Sequence, residues 1–312
     1  MPKKTAFLFP GQGSQAVGMG KEWADAFPAA CSIFEKADRT LGRSLSRICF
    51  EGPEDELKLT GNAQPGLYVC GVVGAALLAE HGVRPDTVTG HSLGEYSALA
   101  AAGVFDWETG LRLVRVRGEA MNAAAEASKG TMAAILGLED EQVIAACKSI
   151  PQGRLVNAAN FNGPGQVVIS GELSAVEAAV EACKTVGARR AILLPVHGAF
   201  HSPLMESAVL KLKAALAHAK LSDPAIAFVA NVTGDFMTQA EIIRESLARQ
   251  ITSCVRWTDT MRRLLESGVE LFVEVGPGNV LSGIVKRMNR NAACVSCATP
   301  ADLHAVVAAY RG

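Results

Sequence analysis

The chain has 312 residues, and its 30 basic and 31 acidic side chains leave a formal net charge of −1. Hydrophobic residues make up 49% of it, which excludes a disordered chain, because disorder needs low hydrophobicity and high net charge. The near-neutral charge argues against a nucleic-acid binder, whose surface carries a strong basic excess. The length suits about two domains, or one large α/β domain with an insertion.

The amino terminus does not resemble a secretory signal, because its apolar stretch ends early, at Pro10. No apolar run approaches the roughly 20 residues that span a bilayer. The 8 cysteines lie mostly in apolar surroundings, which is typical of reduced, buried cysteines in a cytosolic protein. Cys294 and Cys297 are the one tight pair, and without a second pair a redox or zinc role is disfavoured. We therefore expect a cytoplasmic protein with no membrane association.

The first part of the chain is predicted to start with a buried strand, Thr5–Phe9, which Pro10 ends. Several helical patterns follow, interrupted by a short strand at 86–89, and Asp106 is expected to cap the last helix. The predicted helices cover residues 19–27, 29–41, 66–80, 93–102 and 106–127.

The segment from Gly130 to Val196 has a rhythm of its own. It is predicted to form strand, helix, strand, strand, helix and strand over residues 132–136, 139–148, 155–160, 166–170, 172–186 and 190–196. This βαββαβ order is that of the ferredoxin-like unit, with a turn at 162–165. We expect a small inserted domain over 129–198 and a large domain formed by 1–128 and 199–312.

The remaining segment alternates helices with short apolar strands, which favours a mainly parallel sheet covered on both faces. The predicted helices are 203–219, 240–250, 257–266, 280–289 and a final one, and the predicted strands are 225–230, 271–275 and 293–297. The fold class is therefore α/β.

A G-x-S-x-G sequence, from Gly90 to Gly94, lies between a predicted strand and a predicted helix. In that context it indicates a nucleophile elbow with Ser92 exposed at a tight turn. The glycines would remove clashing Cβ atoms, and the N–H of Leu93 would lie at a helix start, where it can donate to an oxyanion. The alternative is a glycine-rich turn with an incidental serine.

A nucleophilic serine needs a base, and His197 and His201 lie between a predicted strand and a predicted helix. His201 is favoured because it adjoins the helix start, and the alternative for both is a capping or core histidine. A metal site of the two histidines with Glu206 is disfavoured, because Gly198 and Pro203 break the helix that it would need.

No acidic residue is evidently placed to orient this histidine. In an α/β-hydrolase the order is serine, acid, histidine, with the histidine near the chain end. His304 is the only candidate there, but it lies in a predicted helix. A simple hydrolase is therefore disfavoured.

The loop after the first strand can be written G-x-G-x-x-A, from Gly11 to Ala16, like a dinucleotide fingerprint. That fingerprint also needs a second strand that ends in an acid about 20 residues later, where this chain is predicted to be helical. A plain glycine turn, or a loop that donates an N–H to an oxyanion, remains open.

Four segments together resemble one family, the free-standing bacterial malonyl-CoA:acyl carrier protein transacylases. They are FPGQGSQ at 9–15, GHSLGEY at 90–96, GAFHSP at 198–203 and EVGPG at 274–278. The likeness extends over nearly the whole chain. It implies an α/β-hydrolase-like large domain with an inserted ferredoxin-like domain, in agreement with the predicted elements.

The resemblance also implies residue roles. Ser92 would be the acylated nucleophile, His201 the base, and the main-chain carbonyl of Gln250 the group that orients it. The remaining implied roles are the oxyanion-hole amides of Gln12 and Leu93, the malonate clamp Arg117, and the pocket residues Gln64, Phe200 and Asn231. Spacing alone leaves open which of Arg112, Arg115 and Arg117 points inward, and without the resemblance Arg117 would be assigned as a solvated arginine.

The expected reaction is transfer of malonyl from malonyl-CoA to the phosphopantetheine thiol of an acyl carrier protein, for fatty-acid synthesis, without metal or cofactor. The alternatives are an acyltransferase of a polyketide pathway, a serine thioesterase or esterase, and an inactive scaffold. Lys286, Arg287 and Arg290 form a basic cluster that suits an acidic carrier protein or is simply a solvated helix face. We expect a monomer.

Overall fold

The computed structural model describes residues 2–196 and 198–312, and it contains two sheets with helices packed around them. His197, one of the two candidate bases, lies outside the described residues.

The larger sheet has six strands in the order β10-β9-β1-β2-β7-β8, and only the β7–β8 pair is antiparallel. Its strands are β1 (Thr5–Phe9), β2 (Thr87–Gly90), β7 (Ala227–Val229), β8 (Phe236–Met237), β9 (Leu271–Val275) and β10 (Ala293–Cys297). Every residue of β1 and β9 is buried, so neither strand alternates in polarity. Helices on both faces require this pattern, and the predicted α/β class with a mainly parallel sheet is confirmed.

Within residues 2–196 and 198–312, twelve α-helices belong to the part of the fold around this sheet. They are α1 (Lys21–Ala26), α2 (Pro28–Leu41), α3 (Leu45–Glu51), α4 (Glu54–Lys58), α5 (Thr60–Glu80), α6 (Gly94–Ala101), α7 (Trp107–Ala127), α10 (Glu206–His218), α11 (Ala240–Gln250), α12 (Trp257–Glu266), α13 (Val280–Met288) and α14 (Pro300–Arg311). The sequence prediction missed α3, α4 and β8, which are too short for a clear periodicity. The Asp106 cap is confirmed, since its side chain accepts from the N–H of Thr109.

Helix α5 corrects two sequence predictions. It begins at Thr60 instead of residue 66 and continues through Pro65, which lies inside the helix and removes one main-chain donor there. By length and composition it is also apolar enough to cross a membrane, contrary to our reading of the sequence. However, 78% of its most apolar window is buried inside the protein, which is typical of a core helix.

The smaller sheet has the order β4-β5-β3-β6 with antiparallel neighbours, which is the ferredoxin-like arrangement predicted. Its strands are β3 (Gly130–Leu136), β4 (Val156–Gly163), β5 (Gln166–Glu172) and β6 (Arg190–Leu193), and its helices are α8 (Asp140–Lys148) and α9 (Leu173–Thr185). Strand β6 ends before residue 196 because Pro195 cannot donate to a ladder. The sheet lies within the segment 129–198, whose limits as a domain stay a prediction.

The two sheets meet beside the end of β2. The N–H of Phe161 in β4 donates to the carbonyl of Val255, 2.9 Å away, and Asn157 donates to the carbonyl of His201 at 3.0 Å. The smaller sheet is thus held against the loops that follow the parallel strands, the edge where α/β proteins place their sites.

Candidate active site

Ser92 lies in a sharp turn between β2 and α6. Its φ of 51° is in the left-handed region, which costs a non-glycine residue about 1–3 kcal/mol and is typical of functional positions. A Cβ on Gly90 would overlap the main chain of Gly94, and one on Gly94 would overlap the carbonyl of Phe9. Both glycines are therefore required by close packing of the turn, as a nucleophile elbow demands.

The hydroxyl of Ser92 lies 2.8 Å from Nε2 of His201. On the other side of the ring, Nδ1 is 2.9 Å from the carbonyl oxygen of Gln250 and 3.1 Å from that of Ser253. Two carbonyl acceptors place the proton on Nδ1 and leave Nε2 free to accept from the serine. The orienting group is thus main-chain carbonyl oxygen, which no search for an acidic residue could find.

His201 is itself in a left-handed conformation, with φ 59°. It is buried, and burial, followed by the nearby Arg117 cation, lowers its pKa to about 3. The imidazole is therefore neutral at ordinary pH, which is the state a general base needs. His304, the alternative base, lies on α14, and its Nδ1 is 3.1 Å from the carbonyl oxygen of Pro300, to which it can donate.

Arg117 of α7 is only 1% exposed and reaches the same point. Its guanidinium donates to the side-chain oxygens of Gln64 at 2.7 Å, Ser92 at 3.0 Å and Gln250 at 2.9 Å. Assignment as a solvated arginine is therefore wrong, and on the same helix Arg112 is exposed instead. Among the described residues no carboxylate contacts Arg117 directly, so its guanidinium faces the serine as a buried cation outside any ion pair.

Gln12 and Leu93 line the same space as Ser92 and His201. Neither the N–H of Gln12 nor that of Leu93 donates to a protein acceptor in the described parts of the chain. The loop that carries Gln12 packs on the elbow so closely that a Cβ on Gly11 would lie 2.5 Å from the carbonyl oxygen of His91. This arrangement suits an oxyanion hole better than a dinucleotide site, and residues 29–41 form helix α2 instead of a strand.

These groups line a cavity of about 700 Å³, large enough for an acyl group and part of its carrier. The predicted site residues on its wall are Gln12, Gln64, Ser92, Leu93, Arg117, Phe200 and His201. The smaller sheet supplies the opposite wall, including Met132 and Val168.

Asn231 was expected near the pocket, but it lies behind the elbow and not on the cavity wall. Its side-chain oxygen accepts from the N–H of Ser92 at 2.7 Å, and its side-chain nitrogen donates to the carbonyl of Gly90 at 2.7 Å. Asn231 therefore holds the strained turn. Gln250 is likewise behind the elbow, with Nε2 donating to the carbonyl of Ser92 at 2.9 Å.

Sequence reasoning gave no role to Glu95 and His91, although both lie in the elbow segment. Glu95 is fully buried and accepts from the N–H of Asn231 and the side chain of Gln250. Nε2 of His91 lies 2.8 Å from the side-chain oxygen of Asn162, and so links the elbow to β4. A glutamate in a first helical turn is usually a solvated residue, so nothing in the sequence marked Glu95.

The segment 274–278 supports the site from behind. The carboxylate of Glu274 accepts from the N–H groups of Leu281 and Ser282 and so holds the start of α13. Gly276, with φ 128°, packs on Pro10. On the adjacent strand β10, Cys297 packs in the core on one face of the sheet and Cys294 on the other, so the two thiols cannot share one metal ion.

Known proteins that are similar to this chain are acyltransferases. The family model described as "Acyl transferase domain" matches residues 6–307. The malonyl CoA-acyl carrier protein transacylase of Bacillus subtilis is 45% identical over 305 residues, which are 97% of this chain and 96% of that protein. The solved malonyl CoA-acyl carrier protein transacylase of Coxiella burnetii superposes with a TM-score of 0.97 at 34% identity, covering 100% of this chain and 99% of its own.

A further solved structure is a malonyl-transacylase in complex with its type II polyketide acyl carrier protein. It is 41% identical, has a TM-score of 0.94, and covers 99% of each chain. The similarity thus extends over the whole of both sheets.

Proposed function

Because this chain belongs to the acyl transferase family, we propose that it transfers a malonyl group from malonyl-CoA to the phosphopantetheine thiol of an acyl carrier protein, through a malonyl ester on Ser92. One observation carries the proposal: the buried Arg117 guanidinium, which no carboxylate of the described residues contacts directly, lies 3.0 Å from the hydroxyl of a serine that contacts a neutral histidine. A nucleophile and a buried cation in one cavity select an acyl group that itself carries a carboxylate.

In the first half-reaction Ser92 Oγ attacks the thioester carbonyl and gives its proton to Nε2 of His201. The Gln250 and Ser253 carbonyls stabilise the imidazolium through Nδ1–H. The negative charge that develops on the carbonyl oxygen is bound by the N–H groups of Gln12 and Leu93. The C–S bond then breaks, and the proton from His201 leaves with the coenzyme A thiol.

In the second half-reaction the carrier's thiol gives its proton to His201 and attacks the malonyl-serine. The ester bond breaks, and the proton returns to Ser92 Oγ. A serine thioesterase forms the same kind of acyl-serine ester but transfers the acyl group to water. A transferase must therefore disfavour water as the acceptor. The buried histidine and largely apolar cavity wall of Met132, Val168 and Phe200 keep water scarce around the ester.

Arg117 accounts for the choice of malonyl over acetyl. A guanidinium presents two parallel N–H donors that match a carboxylate, and both ends of this one already point to side-chain oxygens in the site. An acetyl group offers no anion to it. Phe200, which adjoins His201 and is largely buried, limits the space beside the acyl carbon, so branched acyl groups should be disfavoured.

For the carrier protein we propose the face around α13. Lys286, Arg287 and Arg290 are exposed there, and Arg287 also donates to the side chain of Gln166 at the start of β5 in the smaller sheet. This basic cluster joins the two halves of the molecule and would attract an acidic carrier. We further propose a cytoplasmic monomer that needs no metal or cofactor and binds neither nucleic acid nor membrane.

Fatty-acid synthesis is the process that this activity would supply. A polyketide pathway is the second candidate, because one of the similar structures is a transacylase bound to a type II polyketide carrier protein. Comparison of kcat/KM for the two types of carrier protein decides between them.

The test of the function is intact-mass measurement after incubation with malonyl-CoA and no carrier protein. A transferase accumulates one malonyl adduct, which holo carrier protein then removes as malonyl-carrier. Rapid turnover without a persistent adduct would identify a hydrolase, and no adduct or turnover would identify an inactive scaffold. Both results would contradict the proposal.

A further inference from the structure

The elbow contains a buried carboxyl group to which the reaction above assigns no task. Glu95, in the first turn of α6, is 0% exposed. Its Oε2 accepts from the N–H of Asn231 at 3.1 Å and from Nε2 of Gln250 at 2.9 Å, whereas Oε1 has no hydrogen-bond partner among the described residues. A buried carboxylate that is only half satisfied is costly, unless a nearby cation compensates its charge.

That cation is Arg117, and one side chain connects the two charges. Arg117 donates to Oε1 of Gln250 at 2.9 Å, and Nε2 of the same amide donates to Glu95. The Arg117 guanidinium draws negative charge toward the amide oxygen of Gln250, and the Glu95 carboxylate draws positive charge toward the amide nitrogen. Both effects increase the dipole of the same amide. Glu95 and Tyr96 are the acidic groups that act on the charge of Arg117.

We propose that Glu95 is a positioning residue that acts through the Gln250 amide and sets how strongly Arg117 binds the carboxylate of the acyl group. This inference rests on the proposed function. A malonyl carboxylate on Arg117 brings a second anion into a region that already contains one. Ionised Glu95 therefore opposes malonyl binding and neutral Glu95 permits it, whereas an acetyl group is indifferent to the charge.

The charge of Glu95 changes in an accessible pH range. Burial raises its pKa to about 7, while hydrogen bonds from Gln250 and Asn231 and the Arg117 charge lower it in part. Strands β1 and β2, which pack on α6, carry no titratable side chain, and α7, which also packs on it, buries Arg117 alone among its titratable side chains. The buried Tyr68 and Cys70 of α5 and Tyr96 of α6 have pKa values raised by burial, and His201, which also contacts Gln250, has its pKa lowered, so all four stay neutral.

The experiment compares single-turnover acylation by malonyl-CoA and acetyl-CoA between about pH 6 and about pH 8. Both thioesters use the same serine, histidine and coenzyme A, so the ratio of their kcat/KM values cancels everything except the acyl carboxylate. We expect the malonyl-to-acetyl ratio of kcat/KM for the unmodified enzyme to fall about tenfold over this range. A tenfold change corresponds to a repulsion of about 1.4 kcal/mol between the Glu95 and malonyl carboxylates.

Glu95→Gln keeps an oxygen toward Gln250 and Asn231 but carries no charge, so its ratio should stay at the low-pH value throughout. Glu274→Gln is the matched control, because Glu274 is also fully buried but contacts the start of α13. It should retain the tenfold fall.

A constant ratio in the unmodified enzyme overturns the inference without any variant. So does a Glu95→Gln enzyme that keeps the fall, or one that loses both activities equally, since that indicates a structural role. Failure of malonyl-CoA to acylate Ser92 at all would instead contradict the proposed function, so the two failures are distinguishable.

Discussion

The two sheets bury polar side chains to very different extents. Around the end of β2 the fold buries Glu95, Arg117, His201 and Gln250, and two residues there have left-handed backbones. The core of the smaller sheet, between β3, β5, α8 and α9, contains aliphatic side chains, alanines and cysteines, and the polar side chains buried in its strands, Thr131, Asn160 and Ser170, are all uncharged. Polar burial and backbone strain cost stability, so their concentration on one side indicates where function constrains the structure. The smaller sheet instead shapes and closes the cavity.

The largest expected effect separates two buried serines, one from each region. Ser92→Ala should abolish acylation by malonyl-CoA, with a loss of roughly 10⁴-fold or more, as for removal of a nucleophile elsewhere. Ser170→Ala, in β5, removes a hydroxyl that has no hydrogen-bond partner among the described residues and should leave the rate unchanged. Intact-mass kinetics measure both, and a full adduct on Ser92→Ala would move the nucleophile elsewhere.

The next effect concerns the base. His201→Ala should reduce transfer by several powers of ten, because serine and histidine act as one unit. His304→Ala is the control and should be nearly silent, since His304 lies on the exposed side of α14. Steady-state kcat/KM with malonyl-CoA and carrier protein measures this, and the reverse ranking would favour the α/β-hydrolase order.

Arg117→Ala should lose about 30-fold to several thousandfold in malonyl kcat/KM, because truncation of one partner of a buried charge pair costs about 2–5 kcal/mol. Acetyl transfer should be preserved or improved. Arg117→Lys should recover only part of the loss, since an ammonium lacks the paired donors. Arg112→Ala, on the exposed face of α7, should change kcat/KM for neither thioester. Equal losses for both thioesters would assign Arg117 to the fold.

A smaller effect is expected from the wall of the cavity. Phe200→Ser should improve methylmalonyl-CoA relative to malonyl-CoA by about tenfold, the effect of relieving a clash with about one methyl group. The measurement is the ratio of the two kcat/KM values. If that ratio does not change, another part of the wall restricts the acyl group.

The smallest effect is an absence of change. The folded-state pKa of His201, about 3, is far below the ordinary histidine value, so the base stays neutral as the pH falls through 6.5. The kcat/KM for acylation by acetyl-CoA, which is indifferent to Glu95, should therefore not drop near pH 6.5. The same shift affects the free energy of unfolding. Between about pH 6.5 and pH 3 only the unfolded chain binds this proton, so the fold loses stability as the pH falls through that range. A drop in rate centred near 6.5 would show that His201 is more solvated than its burial indicates.

The sequence by itself determined the α/β class, the ferredoxin-like insertion and the positions of most elements, because periodicity and turn residues act over short distances. It also determined the elbow, since a serine between two glycines after a strand permits few conformations. The resemblance then named Gln250, Arg117 and the amides of Gln12 and Leu93, for which spacing offered no argument. The short α3, α4 and β8 escaped detection because a few residues contain no full period.

Only the tertiary structure decided which groups meet. Arg117 is separated from Ser92 by 25 positions and Gln250 by 158, yet their atoms lie 3.0 Å and 2.9 Å from it. The packing of α7, α11 and the Asn231 loop around β2 decides three features: Arg117 points inward, Asn231 supports the elbow from behind, and Glu95 is buried. Charge and hydrogen bonding across such distances along the chain leave no local pattern, because burial and the partners that compensate it exist only after the chain has folded.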